Sequence, residues 1–108
     1  MRIESLRIGA KTYAIQPTSP AVLADDARQA DVCHRTAVIR VASEGSAPHL
    51  ASLIVHESLH ALFDDTGIDL PPAEEERMVS VLTPRLTAFL ADNPAAVREL
   101  LSMLGCDE

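Results

Sequence analysis

The sequence predicts an α+β fold, a small, mostly antiparallel sheet of about three strands packed on one central helix and two or three C-terminal helices. Three observations predict it. Short β-branched segments are confined to the first forty or so residues, apolar residues recur at helical spacing from Ala47 onward, and 108 residues suffice for a single core. One domain spanning residues 1–108 is the expectation.

The elements follow in order. "RIESLRI" and "TYAIQP" flank "GAK" and read as two short strands around a Gly-containing hairpin. "TSPAVLADDARQAD" is polar and carries Pro20, so it reads as a loop with one helical turn from Ala21 to Arg28. "RTAVIRVA", Arg35 to Ala42, is β-branched and reads as the third strand, with Val38 and Ile39 near its centre. Ser46 is then an N-cap, with Pro48 in the first turn, where a missing N–H costs nothing. From Ala47 to Asp64 the residues Leu53, Val55, Leu59, Leu62 and Phe63 keep helical spacing, and Gly67 is the stop. After the two prolines of "IDLPPAE", "EEERMVSVL" resumes a helix with acids in its first turn, where the dipole favours them. Pro84 is expected to break or kink it before "RLTAFLADN", and "PAAVRELLSMLG" makes a last amphipathic helix between Pro94 and Gly105. Val97, Leu100, Leu101 and Leu104 read as its core face.

Composition excludes several functions. A formal charge of −7 without a basic cluster argues against a nucleic-acid or anionic-membrane partner, and one Tyr with two Phe makes no base-stacking surface. No apolar run approaches the roughly 20 residues of a membrane-spanning helix. "MRIESLRIGA" lacks the apolar stretch of a signal peptide, so a cytoplasmic, reduced setting is expected, with Cys33 and Cys106 as core or surface thiols.

The stretch "LASLIVHESLHALFDDTG" interrupts this pattern with His56, Glu57 and His60. Residues four apart share a helix face, so His56 and His60 can aim two imidazole nitrogens at one point, a spacing that suits zinc. Glu57, next to the first histidine, can reach a water at the metal rather than the metal itself, as a general base must. A catalytic zinc needs a third protein ligand. Asp64 shares the face of His60 but reads better as a helix-end acid, and His34 and His49 lie outside the helical register. Glu74, Glu75 and Glu76 open the next helix, where a short connector folds it antiparallel to the first. Periodicity slightly favours Glu75, which lies above Val79 and Leu82, over Glu76, toward the edge of the apolar stripe. Tyr13, His34 and Arg35 are the candidate donors for a developing oxyanion, and the strand ending near Val41 is a candidate edge for substrate pairing.

"TAVIRVA", "HESLHALFDDTG" and "EEERMVSVLTPRLTAFLADNP" together resemble the small HExxH zinc-peptidase-like proteins of phages and prophages, reduced relatives of the gluzincins and of ImmA/IrrE-type domains. The resemblance runs from the third strand onward, through a strand before the HExxH helix, a Glu opening the next helix and Asp92-Asn93-Pro94. It implies a zincin-like fold, Zn2+ as cofactor, His56 and His60 as ligands, and Glu57 as catalytic acid/base. The third ligand it implies is Glu76, three residues before Val79, one position away from what periodicity favours. The expected activity is zinc-dependent hydrolysis of peptide bonds in a peptide or protein substrate. The alternative is a catalytically inactive, metal-stabilised binding or regulatory module of phage or prophage origin.

Overall fold

The computed structural model describes residues 2–24 and 29–105. Its elements are strands β1 (Ser5–Ile8) and β2 (Lys11–Thr18), helix α1 (Pro20–Ala24), strands β3 (Ala30–Cys33) and β4 (Val38–Ala42), and helices α2 (Ala47–Thr66), α3 (Pro72–Asp92) and α4 (Pro94–Met103). The class is α+β, with a four-stranded mixed sheet in the order β1-β2-β4-β3. β1–β2 and β3–β4 are antiparallel, and β2–β4 is parallel.

The fourth strand corrects the expected three. β3 begins in the last two residues of the stretch read as a loop and runs on to Cys33, and "ADVC" is too short and too acidic in its flank to announce itself. Its extended form is fixed by pairing with β4, reinforced by a cross-strand ion pair in which Arg40 Nε donates to Asp31 Oδ1 at 2.8 Å and a second guanidinium nitrogen to Oδ2. The helical turn expected over 21–28 is α1, and residues 25–28 lie outside the described residues. The strand expected from Arg35 begins only at Val38, because Arg35 and Thr36 belong to a turn that ends on Ala37 at φ 56. β4 is also internal to the sheet, so the strand ending near Val41 is not an edge. The edge on that side is β3.

α2 starts and stops as its residues dictate. Ser46, extended at φ −70 and ψ 153, accepts the N–H of His49 on its hydroxyl, and Gly67 takes the left-handed conformation at φ 73. The face it buries differs from the one the periodicity suggested. Ile54, Glu57 and Ala61 are its buried residues, with Leu50 and Leu53 partly buried beside them, while Leu62 is exposed. Ile54 and Ala61 join Ile8, Tyr13, Ile15, Ala30, Ile39 and Val41 in one core cluster on the sheet. On its other side α2 meets α3, which buries Val79 and Thr83.

Pro84 does not end α3, which runs unbroken from Pro72 to Asp92. A proline there deprives the carbonyl of Ser80 of its donor, but Pro84 is exposed, and Thr87 Oγ1 donates to the carbonyls of Thr83 and Pro84 and holds the next turn together. α4 buries none of its residues; Leu100, Leu101 and Leu104 are exposed rather than core. Cys33 is an exposed thiol, and Cys106 lies outside the described residues. Among the described residues no helix is long and apolar enough to cross a membrane.

The hairpin turn is what ties the sheet to the far end of α2. Gly9 has φ 59, at the first of two turn positions, where a glycine is favoured. A Cβ there would stand 2.0 Å from the Asp65 carboxylate, whose Oδ1 accepts the N–H of Ala10 at 3.3 Å. Gly9→Ala should therefore force the left-handed backbone on a residue with a side chain and turn Asp65 away, lowering unfolding free energy by about 1–2 kcal/mol in urea titration. An unchanged midpoint would show that the turn does not bear on stability.

Candidate metal centre

The buried line of α2 explains the geometry of the site. With Ile54 and Ala61 against the sheet, Glu57 is carried inward and is 8 % exposed. His56 and His60 then emerge in the seam between α2 and α3, their rings edge-on with centroids 5.1 Å apart. The first turn of α3 closes the seam. Pro71 is extended at φ −55 and ψ 138, and Pro72 opens the helix, so the turn bearing Glu74, Glu75 and Glu76 begins at a fixed point.

Glu75 and Glu76 both reach His60, on different nitrogens. His60 Nδ1 donates to Glu75 Oε2 at 2.6 Å, and His60 Nε2 lies 2.8 Å from Glu76 Oε1. His56 Nε2 lies 3.3 Å from Glu76 Oε2. Only Glu76 therefore shares a point with both histidines. One ligand atom from each of His56, His60 and Glu76 lies within 4.8 Å of the others. Metal–ligand bonds of about 2.0 Å at tetrahedral angles require ligand atoms roughly 3.3 Å apart, so the three donors fit a zinc after small side-chain adjustments. Glu75 is left holding the opposite nitrogen of His60, which fixes the ring and its tautomer. Ser80 Oγ donates to Glu76 Oε2 at 2.8 Å and orients that carboxylate.

The other candidates are elsewhere. Glu74 is exposed. Asp64 lies 3.8 Å from Lys11 Nζ and 4.0 Å from His34 Nδ1, at the helix exit. His49 Nε2 is 2.5 Å from Gln29 Oε1. Arg35 is exposed in the β3–β4 turn. The seam opens into a cleft of about 670 Å³, lined by β3 and the residue before it (Gln29 to Val32), by His34, by Ser52, Leu53, His56, Glu57 and His60 of α2, and by Leu70, Pro72, Glu75 and Glu76.

Electrostatics match this layout. Burial pushes the Glu57 carboxyl above its ordinary range, with Asp31 and Glu76 adding to the rise against the pull of His56 and His60. Burial alone would lower His60, but hydrogen bonds from its ring to Glu75 and Glu76 outweigh it and raise the imidazole above its usual value. Burial likewise pushes Glu76 up, and the Ser80 hydroxyl and His60 overcome this and hold it below its usual range.

No protein-family model, curated protein or solved structure matches the chain.

Two predictions follow from that geometry. His60, raised, stabilises the fold below its unfolded value of 6.5 and loses that contribution as pH rises through its folded value. Glu76, lowered, contributes above 4.5 and loses its contribution as pH falls through its folded value, while Glu57, raised, contributes fully below 4.5 and loses its contribution as pH rises through its own folded value. The metal-free protein should thus be more stable between about pH 4.5 and 6.5 than at pH 8. Thermal melts in a chelator measure this, and zinc should remove the alkaline loss by taking the proton's place on His60. In the second, Glu76→Ala should abolish tight zinc binding, while Glu75→Ala should weaken it about 10–100-fold in competition with a zinc dye. Equal losses would make both carboxylates ligands.

Proposed function

We propose that the chain is a zincin-like metallopeptidase, a zinc-dependent hydrolase of peptide bonds. The observation that carries the reading is the convergence of His56, His60 and Glu76 at one end of an open cleft, with the buried Glu57 carboxylate beside them. Lone buried histidines are usually satisfied by one partner, whereas here two imidazoles and a carboxylate share a point.

A zinc held by these three side chains would supply Lewis acidity toward a water and a carbonyl oxygen. Glu57 would take a proton from the attacking water as general base and pass it to the departing amine as the C–N bond breaks. Burial raises its carboxyl above the ordinary range in the metal-free chain. Glu75 keeps the Nδ1 proton of His60 and so leaves Nε2 for the metal.

The cleft suits an extended chain. Ala42 N–H donates to the carbonyl of Gln29, so by antiparallel alternation Asp31 and Cys33 bond toward β4. Ala30 and Val32 then turn their backbone groups to the outer edge of the sheet, along the wall of the cleft. A peptide added to that edge runs past Glu57 and the histidines, so a peptide or protein is the substrate class the cleft favours.

The purified protein should carry about one zinc per chain by metal analysis and lose it in His60→Ala. Glu57→Gln should keep zinc and fold but lower cleavage of a mixed peptide library by about 10²–10⁴-fold. A wild type that holds zinc but cleaves no member of the library would favour the alternative, a metal-stabilised binding module, and turnover unaffected by Glu57→Gln would remove Glu57 as the general base.

A further inference from the structure

An oxygen that gains negative charge as a carbonyl is attacked needs a donor besides the metal, and preorganised donors of this kind are worth about 10²–10³ in rate. Of the side chains with donor capacity singled out in the sequence, Tyr13 is 1 % exposed and Arg35 stands outside the cleft. His34 is different. It follows the edge strand β3 directly and lines the same cleft as His56, Glu57, His60 and Glu76.

Its ring is held from behind. Tyr13 Oη lies 3.3 Å from His34 Nδ1, with the two rings edge-on, and Lys11 Nζ donates to the His34 carbonyl at 2.8 Å and anchors its backbone. Asp64 Oδ2, at 4.0 Å from Nδ1, is beyond hydrogen-bond reach. Tyr13 belongs to the core cluster, so its hydroxyl stays at that position. A phenol donating to Nδ1 makes that nitrogen the acceptor and puts the ring proton on Nε2. Burial, with Asp64 and Asp65 nearby, raises the Tyr13 phenol above its ordinary value, so the hydroxyl has a proton to offer.

We propose that His34 is a further catalytic residue, its Nε2–H donating to the carbonyl oxygen as that oxygen becomes negative, and that Tyr13 is the positioning residue that fixes the donor tautomer. The proposal rests on the hydrolase reading. A substrate strand paired along Ala30 and Val32 would meet His34 next in the chain, in a cleft that Glu57 also lines.

The first test needs no activity. Nitrogen-15 NMR of the metal-free wild type should show His34, when neutral, as the Nε2–H tautomer, and Tyr13→Phe should shift it toward a mixture. A dominant Nδ1–H form in the wild type would overturn the proposal. The second test uses zinc-loaded full-length protein. His34→Ala should retain zinc and the affinity for acetohydroxamate, a probe of the metal alone. It should bind a phosphinic peptide, whose tetrahedral oxyanion demands the donor, about 10²-fold more weakly and lower kcat by about 10²–10³-fold. His34→Gln, which keeps a donor nitrogen, should restore part of both, and Tyr13→Phe should cost about 10-fold or more in kcat with KM little changed. Wild-type binding and turnover in His34→Ala, with Glu57→Gln inactive, would refute the role of His34 and leave the hydrolase reading standing. Loss of zinc in His34→Ala would make it a ligand instead. A wild type that neither binds zinc nor cleaves would remove the hydrolase reading and this proposal together.

Discussion

Everything at the site depends on α2 being held on two sides at once. Its Ile54 and Ala61 side is committed to the sheet, and its opposite side is covered by α3. A helix clamped this way cannot rotate about its axis, because a turn of even one residue position, about 100°, would expose Ile54 and Ala61 and cost several kcal/mol of apolar burial. Glu57 lies on the same line as those two residues, so its carboxylate is drawn toward the core by its neighbours' packing. The desolvation is imposed on it rather than chosen by it, and the raised pKa is the chemical consequence.

The same clamp concentrates charge. Glu57, Glu75 and Glu76 surround two imidazoles, and Asp31 stands close enough to influence Glu57 while its own carboxylate is paired with Arg40. With neutral histidines the cluster has a surplus of carboxylates in a partly desolvated place. It can relieve the repulsion by protonating His60, which is what the two hydrogen bonds to that ring favour, or by taking up a divalent cation. A metal held here would compete with the proton for one nitrogen, Nε2 of His60. Glu75 sits on the other nitrogen in either state, so the ring need not turn when one replaces the other.

What could be read from the sequence was what local chemistry decides. Ser46, Gly67 and the His56–His60 spacing act within one or two turns, and each does in the structure what its type requires. The strand β3 could not be read, because four residues with an aspartate among them become a strand only by backbone pairing with β4, where Arg40 also meets that aspartate. Pro84 does not break α3, since packing of α3 on α2 and the hydroxyl of Thr87 outlast the single backbone hydrogen bond it removes. Between Glu75 and Glu76 periodicity had a real ambiguity. Burial does favour Glu75, at 23 % exposed against 54 % for Glu76, but burial does not decide which carboxylate meets both histidines. The buried carboxylate reaches the back of the ring, and the exposed one reaches the nitrogens that face the cleft.

The two prolines before α3 matter for that last distinction. Adjacent glutamates on a helix differ by about 100° in direction, so exchanging their roles would require α3 to begin one residue earlier or later. Pro71 and Pro72 oppose such a shift. Pro71 is held extended because a proline follows it, and its carbonyl accepts the N–H groups of Glu74 and Glu75 at 2.9 and 3.0 Å. Pro72 supplies a pre-set φ at the first helical position, where no N–H is wanted. The connector therefore sets the phase of the helix as well as its start. That phase assigns one carboxylate to orient His60 and the next to meet His56 and His60 together, before any side chain at the site has to choose.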